Sequence, residues 1–141
     1  MDILLVDDSD DDIVLMEEAF AQSTHLRLAG MVRDGEQALA YLRRTGEFRD
    51  AAPPDLVMLD VNLPRKNGFE VLQEVKADPA LRHTLVAMLS VSEREEDLRK
   101  SYAHGACAYI CKPQDFDRLM AMIRQFEAYW TEVSRLPSRG I

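Results

Sequence analysis

The chain has 141 residues, enough for a single domain that buries a hydrophobic core without disulfides. Its 25 acidic residues against 17 basic ones give a net charge of −8, which argues against nucleic acid as a partner because nucleic acid favours clustered Lys and Arg. No apolar run approaches the ~20 residues of a membrane span, and a predicted strand begins at once, leaving no room for a signal peptide. We therefore expect a cytoplasmic protein without membrane segments.

Short apolar segments alternate with amphipathic segments along the chain. The apolar segments predict five strands, at residues 3–6, 26–32, 56–60, 85–90 and 107–111. The amphipathic segments predict helices near residues 10–22, 35–45, 67–77 and 93–103, and a last helix from about 115 to 135. Five alternating strand–helix units predict an α/β fold, a single doubly wound domain with a parallel sheet and helices on both faces.

Capping residues mark two of the predicted helix starts. The segments NGFE (67–70) and SERE (92–95) each place a capping side chain three residues before a Glu. The third helix is expected to end at Asp78, because a residue before proline avoids helical geometry.

The two cysteines, Cys107 and Cys111, lie four residues apart in the fifth predicted strand. At about 3.3 Å per residue their Cα atoms would be ~13 Å apart, beyond the reach of a disulfide. We expect reduced thiols in the core of a cytosolic protein. Together with His104 they offer too few ligands to predict a metal site.

Polar side chains follow four of the five predicted strands. Asp7 and Asp8 follow the first strand, Asp60 ends the third, Ser90 ends the fourth and Lys112 follows the fifth. The carboxyl ends of parallel strands meet at one edge of a sheet, where functional groups collect. Crowded carboxylates favour a hard divalent cation, which relieves their repulsion. The sequence therefore predicts a Mg²⁺ site beside a hydroxyl and an ammonium group.

Each of these residues also has a purely structural interpretation when taken alone. Asp7 and Asp8 could be turn residues, Ser90 a turn hydroxyl and Lys112 a solvated surface residue. The acids at residues 10–12 are typical of the first turn of a helix, where carboxylates complement the helix dipole. The combination of two acids, a hydroxyl and a lysine at successive strand ends favours the functional interpretation.

Four segments, LLVDDS, MLDVNLP, MLS and AYICKP, together resemble the motif set of the response-regulator receiver domain of two-component signalling. The resemblance covers residues 2 to about 126 and implies the strand order 2-1-3-4-5. We expect a receiver domain at residues 1–126. We expect residues 127–141 to extend the last helix and end in a short tail, without a separate output domain.

The resemblance implies a phosphoacceptor function. Asp60 would accept a phosphoryl group from a sensor histidine kinase, Lys112 would pair with that group and Ser90 would donate a hydrogen bond to it. Tyr109 matches the aromatic residue whose rotamer follows phosphorylation, so Ser90 and Tyr109 would form the switch. The protein would catalyse only its own phosphorylation and dephosphorylation. Its output would be protein–protein contacts of the face formed by the fourth and fifth units.

The resemblance also implies the ligands of the Mg²⁺ ion. Asp8 and Asp60 would bind the ion directly, and the backbone carbonyl of Asn62 would be the third protein ligand. Asp7 would act chiefly through water.

Two further segments resemble the stand-alone response regulators of phytochrome-type histidine kinases: RDGEQALAYLRRTGEF (33–48) and YWTEVSRLP (129–137). This resemblance implies such a kinase as the partner. In the last predicted helix, apolar residues recur at four-three-four-three spacing, and twenty helical residues span ~30 Å against ~17–20 Å for a strand. We therefore predict that Phe126, Trp130 and Val133 extend past the sheet and hold a homodimer together.

Three other functions fit the sequence less well. LDVN begins like the nucleophile motif of haloacid-dehalogenase phosphatases, but Asn62 stands where that class needs a second acid. A nucleotide-binding module is disfavoured because none of the six glycines forms a G-x-G sequence. A phosphorylation-independent adaptor with a receiver fold is disfavoured because every required site residue is present.

Overall fold

The computed structural model describes residues 1–136, in which five strands alternate with five α-helices. The strands are β1 (Asp2–Val6), β2 (Arg27–Val32), β3 (Leu56–Asp60), β4 (Leu85–Ser90) and β5 (Ala108–Cys111). The helices are α1 (Asp10–Ala21), α2 (Gly35–Arg43), α3 (Gly68–Ala77), α4 (Glu95–Ala103) and α5 (Phe116–Ala128). A 3₁₀ turn follows α2 at Gly46–Phe48, and a π-helical turn follows α5 at Tyr129–Val133. Residues 137–141 lie outside the described residues; they include the end of the expected extension and tail (127–141) and the last residue of YWTEVSRLP.

The five strands form one parallel sheet in the order β2-β1-β3-β4-β5, which confirms the predicted α/β fold and strand order. The register aligns the carboxyl ends of neighbouring strands. Val6 pairs with Leu59 across β1 and β3, and Ser90 pairs with Cys111 across β4 and β5. Residues that follow these strands therefore emerge at the same edge of the sheet.

The sheet separates two hydrophobic clusters. Along β1, Leu4 and Val6 contribute to the cluster beneath α2 and α3, whereas Ile3 and Leu5 contribute to the cluster beneath α1 and α5. Alternate side chains of a strand point to opposite faces, so a strand covered on both faces must be apolar throughout. All five residues of β3 are buried, and the first four of them are apolar; only the last, Asp60, is charged.

Helix α4 is anchored much less firmly than the other helices. The only buried residue within it is Ser101, whose hydroxyl donates to the backbone carbonyl of Asp97. With few buried apolar contacts, such an element opens or shifts at lower free-energy cost than the core elements.

The start of α3 matches the sequence prediction, but the start of α4 does not. Asn67 and Glu70 form a reciprocal capping box. At α4 the helix begins at Glu95, with Arg94 at the cap position and no side-chain cap. The predicted SERE capping box is therefore wrong, because hydrogen bonds to residues of β4 and β5 hold Ser92 in the loop before the helix. The backbone N–H of Ser92 donates to the Oγ of Ser90, and the backbone carbonyl of Ser92 accepts a hydrogen bond from the hydroxyl of Tyr109.

The last helix is shorter than predicted. α5 ends at Ala128, and the following turn has an i→i+5 bond from the backbone N–H of Ser134 to the carbonyl of Tyr129. This wider turn changes the angular spacing of the residues that follow, so the apolar residues do not continue as one α-helical stripe. Phe126 and Trp130 are partly buried against the α1–α5 cluster, while Val133 is 71% exposed.

The end of α5 is also fixed by polar contacts. The carboxylate of Glu127 accepts hydrogen bonds from the hydroxyl of Ser23 and the backbone N–H of His25, each at 2.5 Å. The Ser23 and His25 hydrogen bonds also hold the pKa of Glu127 below its usual range. The last turn of α5 is thus attached to the loop between α1 and β2, and Trp130 beyond it lies against its own domain.

Both cysteines are free, as predicted, but both are exposed, so the expectation of core thiols is wrong. β5 is an edge strand of the sheet, and none of its four residues is fully buried.

Across residues 1–136, every helix falls short of the length and apolar character that a membrane crossing requires.

Gly68 is the site of a very close backbone approach between α3 and β3. A Cβ atom there would lie 2.3 Å from the carbonyl oxygen of Asp60 and 2.8 Å from the Cα of Val61. We predict that Gly68→Ala lowers the free energy of unfolding by about 1–3 kcal/mol, because the backbone must move to admit the methyl group. Urea unfolding would measure the loss. Gln73→Ala, on the exposed side of α3, is the control and should change stability by no more than about 0.5 kcal/mol. Equal stabilities of the two variants would contradict the prediction.

Candidate functional site

Three carboxylates converge at the carboxyl edge of the sheet. Asp7 and Asp8 follow β1, and Asp60 is the last residue of β3. One oxygen from each lies within 4.8 Å of the other two. Asp7 and Asp60 are buried, whereas Asp8 is exposed, so the group is open to solvent on one side.

The ammonium group of Lys112 lies against these acids. Its Nζ atom donates to Asp60 at 2.7 Å, to Asp12 at 2.9 Å and to Asp7 at 3.0 Å, using all three of its N–H donors. Burial alone would lower the pKa of Lys112, but hydrogen bonds to Asp60, Asp12 and Asp7 outweigh it and raise the pKa above its usual value. Lys112 therefore stays protonated and positively charged at this edge of the sheet.

The carboxylate of Asp60 is buried and has two hydrogen-bond donors, Lys112 and the backbone N–H of Asn62. Burial raises the pKa of its carboxyl to about 6, although the contact with Lys112 and the backbone N–H of Asn62 act to lower it. That N–H donates to the Oδ1 atom at 3.0 Å. At neutral pH the carboxylate is ionised and can act as a nucleophile.

The donor set fits a hard divalent cation. It includes three carboxylate oxygens, and Mg²⁺ binds few protein oxygens while keeping water or phosphate in its other positions. Asp8 is available for direct contact because it is exposed. Asp7 is already engaged, since its carboxylate accepts from Lys112 and from the backbone N–H of Ser9. Asn62 lies beside Asp60 at the rim of the group.

Ser90 and Tyr109 meet through the backbone of Ser92. Ser90 is buried, with 1% of the residue exposed, and its Oγ atom accepts the N–H of Ser92 at 3.0 Å. The hydroxyl of the partly buried Tyr109 donates to the carbonyl of Ser92 at 2.9 Å. The Oγ of Ser92 accepts the N–H of Arg94 and donates to Asp97, so the loop before α4 is held from both sides.

The structure thus brings Asp7, Asp8, Asp60 and Lys112 into one group and joins Ser90 to Tyr109 in the adjacent loop. It does not unite Phe126, Trp130 and Val133 in one exposed stripe.

Sequence reasoning missed one residue of this group. Asp12 lies in the acidic first turn of α1, as expected, but its carboxylate is also bound to Lys112. Its position in the sequence could have indicated this contact, because a helix that starts just after β1 brings its first turn back over the end of that strand.

Comparison with known proteins agrees with this geometry. Residues 3–124 match the response regulator receiver domain family. Response regulator Rcp1 of Synechocystis is 38% identical over 136 residues, covering 96% of this chain and 92% of Rcp1.

Solved structures extend the likeness to three dimensions. The phosphorylated cyanobacterial phytochrome response regulator RcpA has 43% identity and a TM-score of 0.89, covering 97% of this chain and 98% of RcpA. The Mn²⁺-bound form of Rcp1 has 38% identity and a TM-score of 0.87, covering 97% of this chain and 99% of Rcp1. By this match over nearly its whole length, the chain belongs to the response-regulator receiver domain family.

Proposed function

We propose that the protein accepts a phosphoryl group on Asp60 from a sensor histidine kinase, with Mg²⁺ as cofactor. One observation carries this proposal: a buried carboxylate lies 2.7 Å from a lysine ammonium and within 4.8 Å of two further carboxylates. Because RcpA is a phytochrome response regulator, a phytochrome-type kinase is the proposed donor.

The transfer needs a nucleophile and compensation of negative charge. A carboxylate oxygen of Asp60 forms a bond to phosphorus while the bond from phosphorus to the donor's histidine nitrogen breaks. The electron pair of that bond stays on the imidazole, which takes up a proton. Lys112 balances the charge on the transferring oxygens, so catalysis consists mainly of positioning and electrostatics. Hydrolysis of the acyl phosphate then restores Asp60.

The proposed metal ligands are Asp8, Asp60 and the backbone carbonyl of Asn62, with Asp7 acting through water. A bound cation supplies further positive charge to the phosphoryl oxygens. The exposure of Asp8 and the prior engagement of Asp7 with Lys112 support this division between them.

The proposed switch follows from the contacts around Ser92. After phosphorylation, the hydroxyl of Ser90 donates to the phosphoryl group and its contact with the N–H of Ser92 is lost. Tyr109 then loses its hydrogen bond to the carbonyl of Ser92, and its side chain turns towards the space that Ser90 has left. Because α4 buries only Ser101, this local change can shift the face formed by α4, β5 and α5.

We also propose that this face and the turn after α5 form a homodimer. Four of the seven exposed large apolar residues among residues 1–136 belong to this half of the molecule: Val91, Tyr102, Tyr129 and Val133. The proposed domain limits remain residues 1–126 for the receiver and 127–141 for the extension, and Phe126 and Trp130 connect the two.

The first test is of the nucleophile. Asp60→Asn should abolish phosphoryl incorporation because the amide cannot replace the carboxylate as a nucleophile. Intact-protein mass spectrometry after incubation with acetyl phosphate and Mg²⁺ measures incorporation, and a phytochrome-type kinase then serves as the protein donor. Asp11→Asn is the matched control and should be labelled like the wild type. Labelling of Asp60→Asn at the wild-type level would refute the assignment.

The second test separates direct metal ligation from the general negative field. Asp8→Ala should weaken Mg²⁺ binding roughly tenfold or more, since even indirect partners of a bound metal contribute about 10–100-fold. Asp11→Ala removes an exposed acid outside the group and should weaken binding only about twofold, because solvent and salt screen its charge. Isothermal titration calorimetry compares the two. Equal losses would contradict the proposed ligand role of Asp8.

The third test concerns assembly. A Tyr129→Ala, Val133→Ala variant should sediment as a monomer under conditions in which the wild type is a dimer, because it removes two exposed apolar side chains. Trp130→Ala is the comparison: it should lower stability, since Trp130 packs on its own domain, and leave more dimer than the double variant. A wild type that remains monomeric at high concentration, with and without phosphorylation, would refute the dimer.

A further inference from the structure

Asp12 is the one partner of Lys112 without a place in the proposed metal or phosphoacceptor chemistry. Its Oδ2 atom lies 2.9 Å from the Nζ atom of Lys112. The other two partners, Asp7 and Asp60, both belong to the group of carboxylates that could hold a cation. Asp12 approaches the ammonium from α1 instead.

The backbone of Asp12 is well fixed. Its N–H donates to the Oγ atom of Ser9, the cap residue of α1. The next residue, Ile13, is 4% exposed and packs in the cluster beneath α1 and α5. Lys112, by contrast, carries its charge on a flexible four-carbon chain with three rotatable donors. A fixed acceptor on α1 limits the positions that this ammonium can take.

We propose that Asp12 is a positioning residue for phosphotransfer, which holds the Lys112 ammonium over Asp60 ready for the incoming phosphoryl group. This inference rests on the proposed function. Lys112 has three donors. If Asp7 turned to the water around a bound cation, the donor that it occupies would become available to a phosphoryl oxygen, while Asp12 and Asp60 would keep theirs. Asp12 therefore does not compete with the phosphoryl group for Lys112.

A neighbouring acid provides the control that separates positioning from charge. Asp11 lies in the same turn, is exposed, and is absent from the contacts of Lys112. Removing a negative charge near the site should by itself speed the reaction with an anionic donor. Loss of a positioning contact should slow it. The two roles thus predict opposite directions of change.

The experiment measures labelling rates with acetyl phosphate at saturating Mg²⁺ over a range of donor concentrations. Asp12→Ala should lower the maximal rate by roughly two- to fivefold, the range expected for a partly exposed ion pair, with little change in the half-saturating donor concentration. Asp11→Ala should leave the rate unchanged or slightly raised. An Asp12→Ala variant that labels at the Asp11→Ala rate or faster would overturn the proposal.

A second measurement tests the contact without phosphorylation. In protein labelled with ¹⁵N at the lysine side chains, an ammonium group held by three acceptors exchanges slowly enough with water to give its own NMR signal. The Lys112 signal, assigned with Lys112→Arg, should persist in Asp11→Ala and broaden or disappear in Asp12→Ala. Retention of the wild-type signal in Asp12→Ala would overturn the proposal. A wild type that incorporated no phosphoryl group but still showed this pattern of NMR signals would refute the proposed function. That result would nevertheless confirm the contact between Lys112 and Asp12.

Discussion

The contact between one ammonium group and three carboxylates is the constraint on which the site depends. Without Lys112, the side chains of Asp7 and Asp60 would be buried anions next to each other, an arrangement that is costly in free energy. The lysine makes the cluster stable before any cation binds. It also leaves the cluster negative overall, because one positive charge faces four acids when Asp8 and Asp12 are included. A divalent cation is therefore attracted to a site that is already folded.

The fold provides this arrangement by aligning strand ends. Asp60 is the last of the five buried residues of β3, and Lys112 follows an edge strand two places away in the sheet. The two residues are 52 positions apart in the sequence, and their side chains meet in a 2.7 Å contact. A change in the charge at Asp60 changes the electrostatic force on Lys112. The proposed phosphotransfer and the proposed switch therefore both begin at Asp60.

Most of the fold could be predicted from the sequence because it depends on simple periodicity. Strands covered on both faces are apolar throughout, and their spacing with amphipathic segments indicates the alternating units. The residues at the strand ends could be predicted for the same reason. What could not be predicted depends on local tertiary contacts. The position of Ser92 is decided by bonds to Ser90 and Tyr109, and the end of α5 by a π turn and by the contacts of Glu127. The contact of Asp12 with Lys112 needs the three-dimensional path of α1.

The closeness of α3 to the end of β3 has a consequence for how partners would sense the protein. With no room for even a methyl group at Gly68, α3 is packed tightly on the end of β3, whereas α4 buries a single serine. The molecule is thus divided into a stiff half around α2 and α3 and a compliant half around α4. A ligand shifts a conformational equilibrium only if it binds the two states unequally. Under the proposed switch, a protein bound to the stiff half would bind both states equally well and could act as a constant tether, whereas a partner that senses phosphorylation would have to contact the compliant half.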